Sequence, residues 1–530
     1  MDKYDINSVS IVGIGGSGAY YIAKFFLLLG KTVYGYDLKE SDRTKELEDM
    51  GANIKYNNPS KPFNTDIYLY THNMPQNLIS YIKELNPNIY GYEIGEFYHS
   101  IILDYEDNLL SEEQRGAFLE SNLAPLYSLD LDGIRMIGIT GTDGKTTSCT
   151  MVYHILKENG FKPALISTVS AIIGNEEIDT GFHTTTPTSQ ELYNLIIKAT
   201  DAECTHIILE TTSHALEQGR VAGIKFDEIG YTNITNEHLD YHKTYDNYLK
   251  AKALLITNHT KVDSIIVLNK DDKSYEYLSD ISIGRDLDYS LRDKSADLYA
   301  SNITDSDNLR FKLNSKKESV DVCIPIYGKY NISNFLLACG ICMNENISLE
   351  DIAKSISSFT SVQGRMELLQ ASPFKVFVDF AHTPNATLQV LSSVRTFTEG
   401  RIIHVFGCAG LRDTSKRYSM GKISNEIADI SILTAEDPRT EKLKDINDEI
   451  ESGWKDGGFN QKTLIRFDND KINVNVRREA IKKALEIADS GDTVIITGKA
   501  HEKSLCFGDI EYPWNDIDET EKILNSLNIS

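Results

Sequence analysis

The run Gly138-Ile-Thr-Gly-Thr-Asp-Gly-Lys-Thr-Thr147 limits most sharply what this chain can become. A strand-like stretch, Arg135–Thr140, leads into it, and an apolar helical stretch, Cys149–Leu156, leads out. A glycine turn at such a junction aims backbone N–H groups and a helix N-terminus at one point, where a phosphate binds. Lys145 adds a point charge there, and Thr146 offers a hydroxyl to Mg²⁺. The general spacing G-x-x-x-x-G-K-[ST] asks for glycine at position 139, where this chain has isoleucine; the shorter form T-G-T-x-G-K-T-T is present instead. The expectation is an ATP-binding α/β domain built on a parallel sheet.

The same order opens the chain. Val9–Val12 reads as a strand, Gly13–Gly18 as a glycine turn, Tyr20–Leu29 as a helix and Thr32–Tyr36 as the next strand, which is the pattern of a doubly wound sheet. Gly13-Ile-Gly-Gly-Ser-Gly18 satisfies G-x-G-x-x-G, with Asp37 placed to meet a ribose. Three readings stay open from these residues: a dinucleotide, another diphosphate-bearing ligand, or a tight turn that serves packing alone. Strand-like runs follow at Ile207–Glu210, Glu228–Thr232 and Ser264–Leu268. A third unit begins near Phe374–Asp379, with strands at Ile402–Gly407, Ile430–Ala435 and Thr493–Thr497. The acidic stretch Asp104–Asp132 reads as an irregular linker. Three α/β domains in series are expected: 1–105, then a linker over 106–133, then 134–360 and 361–530.

Charge and cysteine content narrow the functions. Lys and Arg total 54 against 78 Asp and Glu, a net charge of −24. Such a surface repels phosphate backbones, so nucleic acids and anionic membranes are not expected as partners. No run reaches about 18 apolar residues, so no membrane insertion is expected. The 7 cysteines are too few and too scattered for a disulfide framework and fit a cytoplasmic chain. Cys339 and Cys342 have C-x-x-C spacing, but they sit in the apolar run Phe335–Met343 and read as core.

Further clusters carry a family resemblance: His183-Thr-Thr-Thr-Pro187, Glu210-Thr-Thr-Ser-His-Ala-Leu-Glu-Gln-Gly-Arg-Val221, Tyr231-Thr-Asn-Ile-Thr-Asn-Glu-His-Leu-Asp-Tyr-His242 and Tyr248-Leu-Lys-Ala-Lys252. Gly364-Arg-Met-Glu367, Asp379-Phe-Ala-His-Thr-Pro384, Gly407-Cys-Ala-Gly-Leu-Arg-Asp413, Asp437-Pro-Arg439 and Gly498-Lys-Ala-His-Glu502 complete the set. Together with the phosphate loop they resemble the Mur ligases, specifically the MurE type, which add the third residue of the peptidoglycan stem peptide. The likeness covers about residues 134–515, while the Gly13–Gly18 loop with Asp37 looks more like the UDP-binding domain of the MurC and Mpl types. The architecture this implies is a Rossmann-like N-terminal domain, a central phosphate-loop ATPase domain and a Rossmann-like C-terminal domain.

The resemblance implies an ATP-dependent ligase that makes a peptide bond through an acyl phosphate. Gly141, Thr142, Asp143, Gly144, Lys145, Thr146 and Thr147 would hold the ATP phosphates. Asn331, Asn334, Arg365, Asp379 and His382 would lie around the nucleotide. Thr146, Glu210 and His238 would serve two Mg²⁺ ions, with Lys252 at the position that many members carbamylate. A UDP-sugar peptide would meet Gly15, Gly16, Ser17, Gly18, Asp37, Thr185, Thr186, Thr212, Gln218 and Arg220. The incoming amino acid would meet Arg412, Asp437, Arg439, Gly498 and Glu502.

Departures from the family pattern bear on that amino acid. Where diaminopimelate-adding members have Asp-Asn-Pro-Arg, this chain has Glu436-Asp-Pro-Arg439. Asp437 suits a diamino acid with one carboxylate fewer, lysine or ornithine; Arg439 suits a distal carboxylate. Diaminopimelate is expected ahead of the other two. The alternatives are an Mpl-like recycling ligase, a pseudomurein-type peptide ligase or, against the intact Lys145, Glu210, His238 and Lys252, a silent scaffold. A monomer is expected, as is common in the family.

Overall fold

The computed structural model of the chain describes residue 4 and residues 6–56, 65–70, 90–106, 109–121, 125–178, 186–459, 461–468 and 475–527. Two compact units divide it. One comprises Met1–Ile134 with Phe182–Ala202 and Thr211–Lys225; the other comprises Arg135–Gly181, Glu203–Glu210 and Phe226–Ser530.

The first unit carries a five-stranded parallel sheet in the order Asn53–Tyr56, Thr32–Asp37, Ser8–Val12, Ile67–Tyr70, Tyr90–Glu93. That order reverses at Ser8–Val12, the strand feeding the glycine turn, as in doubly wound nucleotide folds. Ile11, Phe25, Phe26 and Phe97 pack with neighbours into its core. The stretch expected to be irregular, Asp104–Asp132, holds the end of the helix Ile94–Glu106, the helix Glu112–Glu120 and the 3₁₀ turn Pro125–Ser128. Its acidic residues mask a core-facing ring: Phe118 stacks on Tyr105 with ring centroids 4.2 Å apart. Acidic composition misled because Glu112 and Glu113 sit in a first helical turn, where the helix dipole favours them.

The second unit holds two large sheets. The first has eleven strands. Seven of them run parallel, from Leu298–Asp305 through Arg285–Ser290, Thr260–Asn269, Phe226–Tyr231, Arg135–Thr140 and His206–Glu210 to Pro163–Ile166. Antiparallel strands extend it at both edges. The helix Tyr330–Asn344 is buried over most of its length and packs with the helix Lys145–Glu158 into the core. Cys339 and Cys342 lie inside it as free, buried cysteines, in keeping with their reading as core.

The other large sheet has six strands in the order Glu367–Gln370, Lys375–Asp379, Thr493–Thr497, Ile402–Phe406, Ile430–Leu433, Thr463–Arg466, parallel except for the first pair. A separate hairpin, Ser504–Phe507 with Ile510–Pro513, follows. Parallel strands put their carboxyl ends on one edge, and ligands of such sheets bind there. Thr140, Glu210 and Tyr231 end three adjacent strands.

Candidate active site

The phosphate loop bends where only glycine fits. Gly144 has φ 83°, and a Cβ added to it would lie 2.2 Å from Asn334 Oδ1. Gly141 has φ 149°, and its Cβ would lie 1.8 Å from Thr232 Oγ1. Thr142 N donates to Asn233 O (2.7 Å) and Asp143 N to Asn233 Oδ1 (3.0 Å), so the next strand's exit loop cradles the turn. Lys145 opens the following helix and donates from Nζ to Thr142 O at 2.7 Å.

Glu210 and Thr146 meet across the strand ends. Thr146 Oγ1 donates to Glu210 Oε2 at 3.0 Å, and Thr168 N donates to the same oxygen at 3.1 Å. Arg365 Nη2 reaches Thr146 Oγ1 at 3.4 Å while its guanidinium lies over the Phe380 ring. Asn334 stands against Gly144 and donates to Asn331 Oδ1 at 2.9 Å. Thr147 is buried in the first turn of the helix.

Lys252 is buried beneath the loop. Its Nζ donates to Gly141 O at 2.7 Å and lies 4.7 Å from the Tyr248 ring centroid. Burial first, then the nearby Lys145 charge, drives its amine well below the ordinary lysine range. His238 caps a short helix in left-handed backbone, φ 55°. Burial lowers its imidazole, and Glu237 opposes that shift.

Segments some 240 residues apart in sequence converge on the loop. Asn385 Nδ2 donates to Asp143 Oδ2 at 2.7 Å, and Thr383 Oγ1 donates to Asp143 Oδ1 at 3.2 Å. His382 Nε2 lies 3.3 Å from Glu237 Oε1. Burial raises the Glu237 carboxyl, but His238 and His382 outweigh it and hold the group well below the usual carboxylate range. His382 is raised in turn: burial works against the imidazolium and the Glu237 hydrogen bond and charge prevail. Asp379 is held by Met366 N and Ala381 N, each at 2.7 Å. Lys416 Nζ donates to His382 O at 2.8 Å.

Asp437 and Arg439 form a second cluster on the exit of the strand Ile430–Leu433. Gly410 N donates to Asp437 O at 2.9 Å and Arg439 Nη1 to Gly410 O at 3.1 Å, which ties this turn to the exposed loop that carries Arg412. A Cβ at Gly498 would lie 2.9 Å from Glu436 Oε2, and Glu502 forms an ion pair with buried Lys499. Glu436 is buried, and its Oε2 has no hydrogen-bond partner among the described residues.

The first unit holds the remaining predicted residues. Asp37 Oδ2 accepts from Gly15 N at 2.8 Å, and Gly16 N donates to Gly13 O at 2.9 Å. Ser17 and Gly18 open the helix Ser17–Leu28. Thr186, Thr212, Gln218 and Arg220 form one network: Thr212 N donates to Thr186 Oγ1 (3.1 Å), Arg220 Nη1 to Thr186 O (2.9 Å) and Arg220 Nε to Gln218 Oε1 (3.0 Å). Thr212 also caps the helix Ser213–Glu217. Thr185 lies outside the described residues.

Sequence reasoning missed Glu237, Tyr248, Asn385, Lys416, Glu436 and Lys499. Glu237 and Lys499 sit inside quoted motifs beside His238 and Gly498, so adjacency was an available signal. Asn385 and Lys416 carry no local signal, because their partners are set by the fold.

A phosphate loop with a facing carboxylate on an adjacent strand end, covered by a second α/β sheet, defines an ATP-dependent ligase of the Mur class. Residues 8–102 match the model described as Mur ligase family, catalytic domain; residues 139–342 match the Mur ligase middle domain; residues 364–500 match the Mur ligase, glutamate ligase domain. The chain is 37% identical over 398 residues to a UDP-N-acetylmuramoyl-L-alanyl-D-glutamate–2,6-diaminopimelate ligase of Clostridium botulinum, covering 74% of this chain and 78% of that one. A ligase of the same name from Clostridium perfringens is 39% identical over 383 residues, 70% of this chain and 74% of its own. The chain belongs to the Mur ligase family. Among solved structures, one ligase named for the same reaction has a TM-score of 0.54 at 25% identity, covering 94% of this chain and 93% of its own. A pseudomurein peptide ligase type C from Methanothermus fervidus shares the fold, with a TM-score of 0.56 at 17% identity over 98% of this chain and 100% of that one. Among the described residues, no helix is long and apolar enough to cross a membrane.

Proposed function

We propose that the chain joins 2,6-diaminopimelate to UDP-N-acetylmuramoyl-L-alanyl-D-glutamate in the cytoplasm, consuming ATP. The Thr146–Glu210 contact beside Lys145 carries this reading, since it gathers an anion-binding loop and a metal-type oxygen pair at one point. A carboxylate does not acylate an amine because its oxygen leaves poorly. Transfer of the γ-phosphoryl group to the glutamate carboxylate makes phosphate the leaving group. The amine then forms the C–N bond as the C–O bond to phosphate breaks, releasing ADP, phosphate and a proton.

The phosphate-loop N–H groups and Lys145 hold the transferring phosphoryl group and neutralise its charge. Hard oxygens suit Mg²⁺, so Thr146 and Glu210 fit one ion, which supplies charge neutralisation to the phosphates when bound. Among the described residues, no group of three or more His, Cys, Asp and Glu is set to hold a metal. His238 with an unmodified Lys252 does not make a second site, because a lysine amine bonded to Gly141 O is no Mg²⁺ ligand; a carbamate on Lys252 would supply the missing oxygens. Arg365, Asp379, His382, Asn331 and Asn334 orient the nucleotide. Gly15, Asp37, Thr186, Thr212, Gln218 and Arg220 take the UDP-sugar peptide, and Arg412, Arg439 and Glu502 take the amino acid. The relatives' names support this reading, and a net charge of −24 keeps the anionic substrates to these local sites.

Purified protein with ATP, Mg²⁺ and UDP-N-acetylmuramoyl-Ala-Glu is offered diaminopimelate, lysine and ornithine, and phosphate release is followed. Release with diaminopimelate, lost in Lys145→Ala, is expected. Release only with a free tripeptide and UDP-N-acetylmuramate would replace this reading by a recycling ligase.

A further inference from the structure

The turn Glu436–Arg439 takes left-handed backbone twice, at Asp437 (φ 45°) and Arg439 (φ 52°). Non-glycine residues hold that conformation only where surroundings enforce it. Asp437 Oδ1 accepts from Lys499 Nζ at 2.8 Å and from Cys506 N at 2.8 Å. Lys499 is 1% exposed, so its cation has no route to solvent if Asp437 lets go. The hairpin that donates Cys506 N returns twice more: Arg439 N donates to Cys506 O at 3.2 Å, and Gly508 N to Arg439 O at 2.7 Å. Asp437 is thus the acceptor at which a buried cation, the hairpin 504–513 and the backbone of Arg439 meet. The guanidinium of Arg439 donates to Gly410 O at 3.1 Å and has no carboxylate partner among the described residues.

We propose that Asp437 is a positioning residue: it clamps Lys499 and the hairpin so that Arg439 presents an unneutralised guanidinium to the far carboxylate of the incoming amino acid, and it does not receive that amino acid's ammonium. This rests on the ligase reading above. An ammonium competing for Asp437 Oδ1 would strand Lys499 as a buried, half-paired cation, which is strongly unfavourable. The amine end falls instead to Glu502, the more exposed partner of Lys499, with 36% of its side chain accessible. An aspartate at this position therefore leaves the preference for a distal carboxylate in place.

Asp437→Asn keeps an oxygen acceptor for both donors while Glu502 still neutralises Lys499; Asp437→Ala removes the acceptor. Steady-state kinetics of the full chain with ATP, Mg²⁺, UDP-N-acetylmuramoyl-Ala-Glu and either diaminopimelate or lysine separates the roles. Asp437→Asn is expected to keep kcat/KM for diaminopimelate, and its ratio to lysine, within about threefold. Asp437→Ala should raise KM for diaminopimelate about tenfold or more with kcat little changed. Amide hydrogen exchange at 504–508 should quicken in Asp437→Ala and stay slow in Asp437→Asn. Equal losses in both variants, with exchange unchanged in both, would mean that Asp437 touches the amino acid and would overturn the proposal. If the unaltered chain turns over neither amino acid, the ligase reading fails. Exchange then still decides the clamp, and unchanged exchange in Asp437→Ala overturns it.

Discussion

Lys252 Nζ sits 2.7 Å from the carbonyl oxygen of Gly141, beneath the phosphate loop, with 1% of the residue exposed. Burial and the Lys145 charge favour its neutral amine, the form that attacks CO₂. Attack forms an N–C bond and releases a proton, leaving a carbamate in place of a cation. Protein equilibrated with ¹³C-bicarbonate at neutral pH should show one carbamate resonance that Lys252→Ala lacks, and that variant should lose about a hundredfold or more in ligation. An identical resonance in Lys252→Ala would remove Lys252 as the carbamate's site.

Gly144→Ala places a Cβ 2.2 Å from Asn334 Oδ1 on backbone with φ 83°. Left-handed backbone alone costs a residue with a side chain about 1–2 kcal/mol. The loop must shift, so ATP affinity measured by calorimetry should fall by about tenfold or more. Unchanged affinity would mean that this loop does not hold the phosphates.

The Glu237–His382 pair predicts a pH window. His382 is raised above 6.5, so its contribution is complete below that value and fades as pH climbs through its folded pKa. Glu237 is lowered from 4.5, so its contribution is complete above that value and fades in acid. The melting-temperature gap between the unaltered chain and Glu237→Gln should be widest between pH 4.5 and 6.5. A gap that widens steadily into alkaline pH would count against the pair.

Near the start of the strand Phe226–Tyr231, in the eleven-stranded sheet, buried Glu228 meets Arg135 and Asn344, with Glu345 alongside. Burial raises Glu228 well above the usual carboxylate range against the Arg135 charge, and Glu345 raises it further. The folded chain keeps a proton that the unfolded chain gives up above 4.5, so this group costs stability as pH rises through its folded value. Glu228→Gln should flatten that slope and melt above the unaltered chain at pH 9. A steeper slope in the variant would contradict the assignment.

Much of the fold was legible because its signals are local. A glycine turn between a strand and a helix announced Arg135–Thr140 and Lys145–Glu158, and the same order announced Ser8–Val12 and Ser17–Leu28. The edge strands Leu309–Ser315 and Ser319–Ile324 were not foreseen, since their polar faces carry no long apolar run. Nor was the capture of 182–202 and 211–225 by the N-terminal unit. The motif residues were legible as candidates, but the side chains that meet them were not: Asn385 meets Asp143 only through sheet geometry, and no spacing rule reaches that far. Asp437 was read as a charge on offer to substrate, because one-dimensional spacing does not reveal that Lys499 and Cys506 N already hold it.

Asp143 waits on Asn385, which lies 242 residues later in the chain. During synthesis the phosphate loop is therefore made long before the segment that meets it. A chain stopped near residue 360 would lack Thr383 and Asn385, the two side-chain donors to Asp143, and Arg365 and His382 as well. Completion of the ATP site is a late event of translation, so premature chains carry the loop without the machinery that makes its ATP useful.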